Sequence, residues 1–169
     1  DPLCIHEGFK KLPPAGLLTL KAPTERPQPG HYWNLPQVVE QGLDHPFRGS
    51  DADAITEFEA LLKKAVGMRM ISDVPLGAFL SGGVDSSLIV AMMQQQSAQP
   101  VRTFTIGFHE KEHNEAEFAK DVAKHLGTAH TEMYVTGEDA LNVIPQLPEL
   151  YDEPFSDYSQ IPPHLVCKM

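Results

Sequence analysis

Apolar residues in this chain fall into short runs and helical stripes separated by turn residues. Ile55, Phe58, Leu61, Leu62, Ala65 and Val66 recur at helical spacing behind Ser50-x-x-Asp53, a capping-box signature, and predict a packing helix. Ala78, Phe79 and Leu80 form a short apolar strand that runs into Ser81-Gly82-Gly83. Leu88, Ile89, Met92 and Met93 then mark the apolar face of a helix. Val101 to Phe108 reads as a second strand one helix after the first, so the two should form a parallel, right-handed βαβ unit. Glu115 to Leu126 predicts a second amphipathic helix with Phe118, Val122 and Leu126 inward and Gly127 at its end. A third strand follows over His130 to Val135. Thr136-x-x-Asp139 caps a helix from about Glu138, and Pro145 opens a further segment whose start tolerates Pro148. Strands alternating with helices in this way predict the α/β class with a parallel sheet.

The first part of the chain behaves differently. Pro13, Pro14, Pro23, Pro27, Pro29, Pro36 and Pro46 are too many for continuous helix and confine strands to edges, so residues 1 to about 49 should be extended and loosely packed.

Composition narrows the function more than the fold. The 169 residues are 41% apolar and 8% aromatic, ordinary for one globular core. A net charge of −10, with 13 basic residues that form no run, argues against nucleic acid as a partner. Neither a membrane-spanning stretch nor a signal peptide is legible, which leads to an expectation of cytoplasmic residence. Cys4 and Cys167 belong to no C-x-x-C pair and are expected as free, reduced thiols.

Candidate chemistry concentrates at Ser81 to Ser87. Gly82 and Gly83 permit backbone angles and close approach that a Cβ would forbid, and the turn opens a helix, so an anion there would meet unpaired amides and the positive end of a helix dipole. Ser81, Ser86 and Ser87 can add hydroxyls. Asp85 would repel a polyphosphate unless a cation lay between, which points to a nucleotide together with Mg²⁺. The loop has neither the Gly-Lys-Ser/Thr ending of a Walker A sequence nor the Gly-x-Gly-x-x-Gly dinucleotide pattern. Ligands of parallel sheets bind beyond the carboxyl ends of strands, which sets Ile106 and Gly107 beside the loop.

Other candidates carry less. Arg69 could face phosphate or solvent. His130, in the third strand, could be read as catalytic; His109, Glu110, Glu112, His113 and Glu115 could suggest a metal cluster, but acids and histidines in a polar loop after a strand are more often solvated, and zinc is not expected. Tyr151-Asp152-Glu153-Pro154-Phe155-Ser156-Asp157 carries three carboxylates and reads equally as a solvated acidic loop.

The sequence Ser81-Gly82-Gly83-Val84-Asp85-Ser86-Ser87 resembles the SGGxDSS loop of the N-type ATP pyrophosphatases. Ser72-Asp73-Val74-Pro75-Leu76-Gly77, Phe104-Thr105-Ile106-Gly107-Phe108, His125-Leu126-Gly127-Thr128 and Asp152-Glu153-Pro154-Phe155 look like the synthetase domain of glutamine-hydrolysing asparagine synthetases. Phe9 to Gly16 and His31 to Pro36 are similar to the end of that family's glutaminase domain and its exit into the linker. The resemblance implies a three-layer α/β fold with a parallel sheet of the adenine nucleotide alpha hydrolase-like (PP-loop) type. It assigns residues 1–49 to a glutaminase remnant and linker and residues 50–169 to the start of the ATP-pyrophosphatase domain. Leu17 to Leu20 and His31 to Trp33 would then be strands lacking the rest of their sheet.

By the same resemblance the activity is that of a carbon–nitrogen ligase. MgATP adenylates the side-chain carboxylate of aspartate, pyrophosphate leaves, and ammonia from glutamine gives asparagine. ATP would be held by Phe79, Ser81, Gly82, Gly83, Asp85, Ser86, Ser87, Ile106 and Gly107, with Phe79, Ile106 and Gly107 forming the adenine pocket and Asp85 acting catalytically by holding Mg²⁺. Glu153 and Asp157 move toward substrate or structural roles, and a homodimer is left open. The family's amino-terminal cysteine and its Ser-Gly-x-Gly-x-Asp-Glu loop are not in this sequence, so the chain reads as an excised piece that by itself catalyses neither half-reaction. A β-lactam synthetase-like enzyme and a non-catalytic nucleotide-binding remnant are the rival readings.

Overall fold

The computed structural model describes residues 3–24, 26, 28–109, 115–154 and 157–168, and the chain divides into two compact units, Asp1–Ala54 and Ile55–Met169. In the first, β1 (Gly16–Leu17) and β2 (Gly30–His31) pair antiparallel, with Gly16 opposite His31. Helix α1 (Leu35–Asp44) follows, capped by Asn34, whose side chain accepts from the Gln37 amide at 3.1 Å. The prediction of an extended leader is corrected here. Pro36 lies in the first turn of α1, where a missing N–H costs nothing, so the residues after it are free to be helical. The two strand segments also find each other, though over only two residues each.

Helix α2 (Asp51–Arg69) begins with the predicted capping box: the Ser50 amide donates to Asp53 Oδ2 at 2.9 Å and the Asp53 amide to Ser50 Oγ at 3.3 Å. The Ser50 hydroxyl, which donates to Asp53 Oδ2 at 2.7 Å, and the Ser50 amide together hold Asp53 below the usual Asp range. In the second unit β3 (Gly77–Phe79), α3 (Val84–Gln96), β4 (Arg102–Phe108), α4 (Ala116–Leu126) and β5 (Ala129–Val135) alternate as expected. The strands form a fully parallel sheet in the order β3-β4-β5, with Phe79 opposite Phe104 and Phe104 opposite Thr131. Gly127 ends α4 in the left-handed conformation, φ 72°. Beyond β5 come α5 (Gly137–Val143), closed by the Thr136/Asp139 capping box, then a 3₁₀ turn over Ile144–Gln146, and the short helices α6 (Leu147–Leu150) and α7 (Ile161–Cys167). Pro145 and Pro148 each sit in a first turn.

The core is smaller than the apolar pattern implied. Leu80, Val90, Ala119 and Ala123 form one buried cluster, and Val66, Met92, Met93 and Val101 another. Phe118, predicted inward, is 69% exposed, because α4 packs through Ala116, Ala119 and Ala123, whose small side chains let the helix approach closely. On α3, Val90 rather than Leu88 and Ile89 joins the buried set. Of the α2 stripe only Val66 is buried; Ile55, Phe58 and Leu61 are exposed. Cys4 and Cys167 are free thiols. Among the described residues no helix is long and apolar enough to cross a membrane.

Candidate functional site

The Ser81–Ser87 turn leaves the sheet at the carboxyl end of β3. Leu80, 1% exposed, anchors it: its amide donates to the Phe104 carbonyl at 2.9 Å, and its own carbonyl accepts the Thr105 hydroxyl. From this fixed point the chain turns at Gly82, φ 78°, and at Gly83 enters α3 with no side-chain cap. Gly82 is required twice over. A Cβ there would adopt a left-handed backbone and stand 2.7 Å from the Ala119 amide nitrogen, so the loop packs directly on the first turns of α4.

The three serines knit the turn internally. Ser81 Oγ lies 3.0 Å from Ser86 Oγ, the Ser81 amide donates to Ser86 Oγ at 3.2 Å, and the Ser86 and Ser87 hydroxyls donate to the Gly83 carbonyl at 3.2 and 2.7 Å. Their hydroxyls therefore brace the loop. The donors left for a ligand are amides: the Ser87 amide is the first to close the helical ladder, onto the Gly83 carbonyl at 3.0 Å, which leaves those of Val84, Asp85 and Ser86 as unpaired first-turn groups. Asp85 is exposed in that same first turn.

Beside the loop lies a cleft of about 220 Å³ between the sheet and α7. Phe79, Phe104, Ile106 and Phe108 form its floor, and Pro162, Pro163 and Val166 form its opposite wall. Phe79 is 54% exposed, so its ring is open to a flat partner. A cavity below the roughly 300 Å³ usual for drug-sized ligands suits a nucleobase rather than a whole nucleotide. Phe79, Ser81 and Ile106, expected from sequence, line it; Gly107 does not, being buried where the Tyr134 ring comes within 2.7 Å of the position a Cβ would take.

Several residues went unrecognised in the sequence. Phe104 and Phe108 share a sheet face with Ile106, which the period of two along β4 could have signalled. Pro162, Pro163 and Val166 gave no such signal, since only the fold brings α7 against β4. Arg69 sits elsewhere, in a groove with Met68, Met70 and Leu76. Asp152 and Glu153 line a separate cavity with Leu147 and Tyr151, while Asp157 Oδ1 accepts the Ser159 amide at 2.9 Å, a bond that holds its carboxyl below the ordinary range. Glu110, Glu112, His113, Phe155 and Ser156 lie outside the described residues. Among the described residues no three His, Cys, Asp or Glu side chains converge as a metal site.

His130 lies on the sheet, away from that cleft. Its Nδ1 is 2.9 Å from Thr103 Oγ1, which also lies 2.9 Å from Thr128 Oγ1, and its Nε2 is buried with no partner. Burial pushes the imidazole below the usual His range; Glu132 opposes the shift and Lys120 adds to it. Lys120 and Glu132 are themselves paired at 3.5 Å across α4 and β5, and that pairing raises Lys120 above its ordinary value.

A parallel sheet whose first strand ends in a glycine turn with free amides, next to an apolar cleft at the same strand ends, defines an α/β protein with a candidate anion site at its strand ends. Residues 57–169 match the family described as asparagine synthase, and the chain belongs to that family. It is 39% identical over 140 residues to a Methanocaldococcus jannaschii protein provisionally named asparagine synthetase [glutamine-hydrolyzing] 2, covering 82% of this chain and 26% of that protein. Asparagine synthetase [glutamine-hydrolyzing] 1 of Bacillus subtilis is 30% identical over 157 residues, 89% of this chain and 25% of the relative. Asparagine synthetase [glutamine-hydrolyzing] 2 of Oryza sativa subsp. japonica is 33% identical over 141 residues, 73% and 24%. The chain thus spans about a quarter of the length of the relatives it matches.

Proposed function

We propose that the protein carrying this chain makes asparagine, and that this chain supplies its ATP site. In this reading the side-chain carboxylate of aspartate attacks the α-phosphorus of ATP, the bond to the bridging oxygen of the β-phosphate breaks, and pyrophosphate leaves. Ammonia from glutamine then attacks the acyl carbon, the bond to AMP breaks, and the proton passes to solvent. The observation that carries the proposal is the glycine turn at the end of β3, with its first-turn amides free, alongside the open ring of Phe79. Amides of Val84, Asp85 and Ser86 would hold phosphate oxygens, and preorganised donors of this kind stabilise charge as it develops on a leaving group.

Asp85, one exposed carboxylate with hydroxyls nearby, fits Mg²⁺, which takes one or two carboxylates and fills its remaining sites with phosphate and water. Bound there, the ion would neutralise polyphosphate charge. Phe79 and Ile106 would flank the adenine. The finer architecture belongs to the same proposal: a three-layer PP-loop domain from residue 50, preceded by the end of a glutaminase domain over residues 1–49.

Calorimetric titration of the chain with ATP tests this. Binding should be strong with Mg²⁺ and weakened at least tenfold by chelation, because Asp85 otherwise faces phosphate with like charge. Equal affinity with and without Mg²⁺ would remove the metal from the account.

A further inference from the structure

Among the described residues, the cleft beside the glycine turn has three polar residues in its lining: Ser81, Thr105 and Glu115. Two are already committed. Ser81 Oγ lies 3.0 Å from Ser86 Oγ, and the Thr105 hydroxyl donates to the Leu80 carbonyl. Glu115 is different: it is exposed at the N-cap of α4, and its side chain makes no capping bond to the helix. Its place along the cleft follows from the packing of the loop. The Ala119 amide donates to the Glu115 carbonyl at 3.1 Å, and the same amide nitrogen is what a Cβ on Gly82 would strike. Glu115 therefore stands one helical turn from the contact between the phosphate turn and α4, at the loop end of the cleft.

A carboxylate accepts hydrogen bonds and donates none, and it repels phosphate. The part of a nucleotide that lies between base and phosphates and offers donors is the ribose. Resting on the ATP reading above, we propose that Glu115 accepts hydrogen bonds from the ribose 2′ and 3′ hydroxyls and so makes this a ribonucleotide-selective site. An acid on the ribose hydroxyls, set beyond a glycine turn, is a solution that other parallel α/β sheets also use.

Calorimetric titration of the chain with MgATP, Mg-2′,3′-dideoxyATP and Mg-tripolyphosphate, on wild type, Glu115→Gln and Glu115→Ala, tests the proposal. Wild type should prefer MgATP to the dideoxy nucleotide by about tenfold or more, the size of a hydrogen bond to a charged acceptor. Glu115→Ala should reduce that preference below about twofold and leave tripolyphosphate binding intact, which also shows that the loop is still folded. Wild type that binds both nucleotides equally, or Glu115→Ala that keeps the full preference, would overturn the role of Glu115 while leaving the ATP site standing. Wild type that binds no nucleotide in Mg²⁺ would instead overturn the ATP reading itself, and this proposal with it.

Discussion

Asp85 is the one charged side chain in the Ser81–Ser87 turn, and it is exposed, so its charge can matter to a ligand without mattering to the fold. Asp85→Asn in the protein that carries this chain should lower asparagine formation more than tenfold, a barrier increase above about 1.4 kcal/mol, while the thermal midpoint stays near wild type. Asparagine production and a circular-dichroism melt read the two effects separately; retention of near-normal synthesis would show that the metal lies elsewhere. At His130 the expectation is reversed, with stability affected rather than chemistry. Burial lowers its pKa in the folded chain, so the fold favours neutral imidazole, and the unfolded chain takes up a proton first as pH falls through about 6.5. This residue's contribution to stability is therefore present above that pH and lost below it. Urea midpoints measured from pH 8 to pH 5 should fall more steeply for wild type than for His130→Asn. The sequence shows a histidine next to Thr131, but not that its Nε2 is buried without a partner, because that burial comes from the elements packed around β5.

Among the elements, the turn into α3 is legible from sequence because its requirements are local: a glycine at positive φ and a helix start directly behind it. Its two glycines are nonetheless unequal, in backbone conformation and in their contact with α4. Gly82→Ala places a Cβ in the left-handed region and against α4, and should cost about 1–3 kcal/mol from the backbone strain alone. Gly83 has φ −70° and ψ 160°, and a Cβ there meets only Ser81 Oγ at 3.4 Å, so Gly83→Ala should fold nearly as well as wild type. Chemical denaturation of the pair checks this, and equal losses would contradict the loop geometry. Apolar periodicity predicts the helices, but not their inward faces where side-chain size decides. Phe118 satisfies a helical stripe, yet the close approach of the loop to α4 selects Ala119 and leaves the ring outside.

Taken whole, the molecule carries a formal charge of −10, and a nucleotide approaching it is also anionic. Long-range repulsion should slow encounter, and salt should relieve it. The association rate of MgATP is expected to rise modestly as ionic strength increases from 0.01 to 0.15 M, over which the Debye length shrinks from about 30 to 8 Å. Stopped-flow measurement decides it; a rate that falls with salt would mean that a local positive field at the glycine turn outweighs the net charge.

Sequence by itself determined the α/β alternation, the two capping boxes and the strand–glycine turn–helix that carries the candidate site. Each of these depends on backbone dihedrals, hydrogen-bond reach and side-chain period within a few residues. Tertiary structure decided which apolar faces are buried. It also decided that Pro162, Pro163 and Val166 of α7 close a cleft over Phe79 and Ile106, with Glu115 at its loop end. Those outcomes depend on contacts between residues far apart in the chain, where close packing admits an alanine or a proline for its shape, and shape leaves no periodic trace in the sequence.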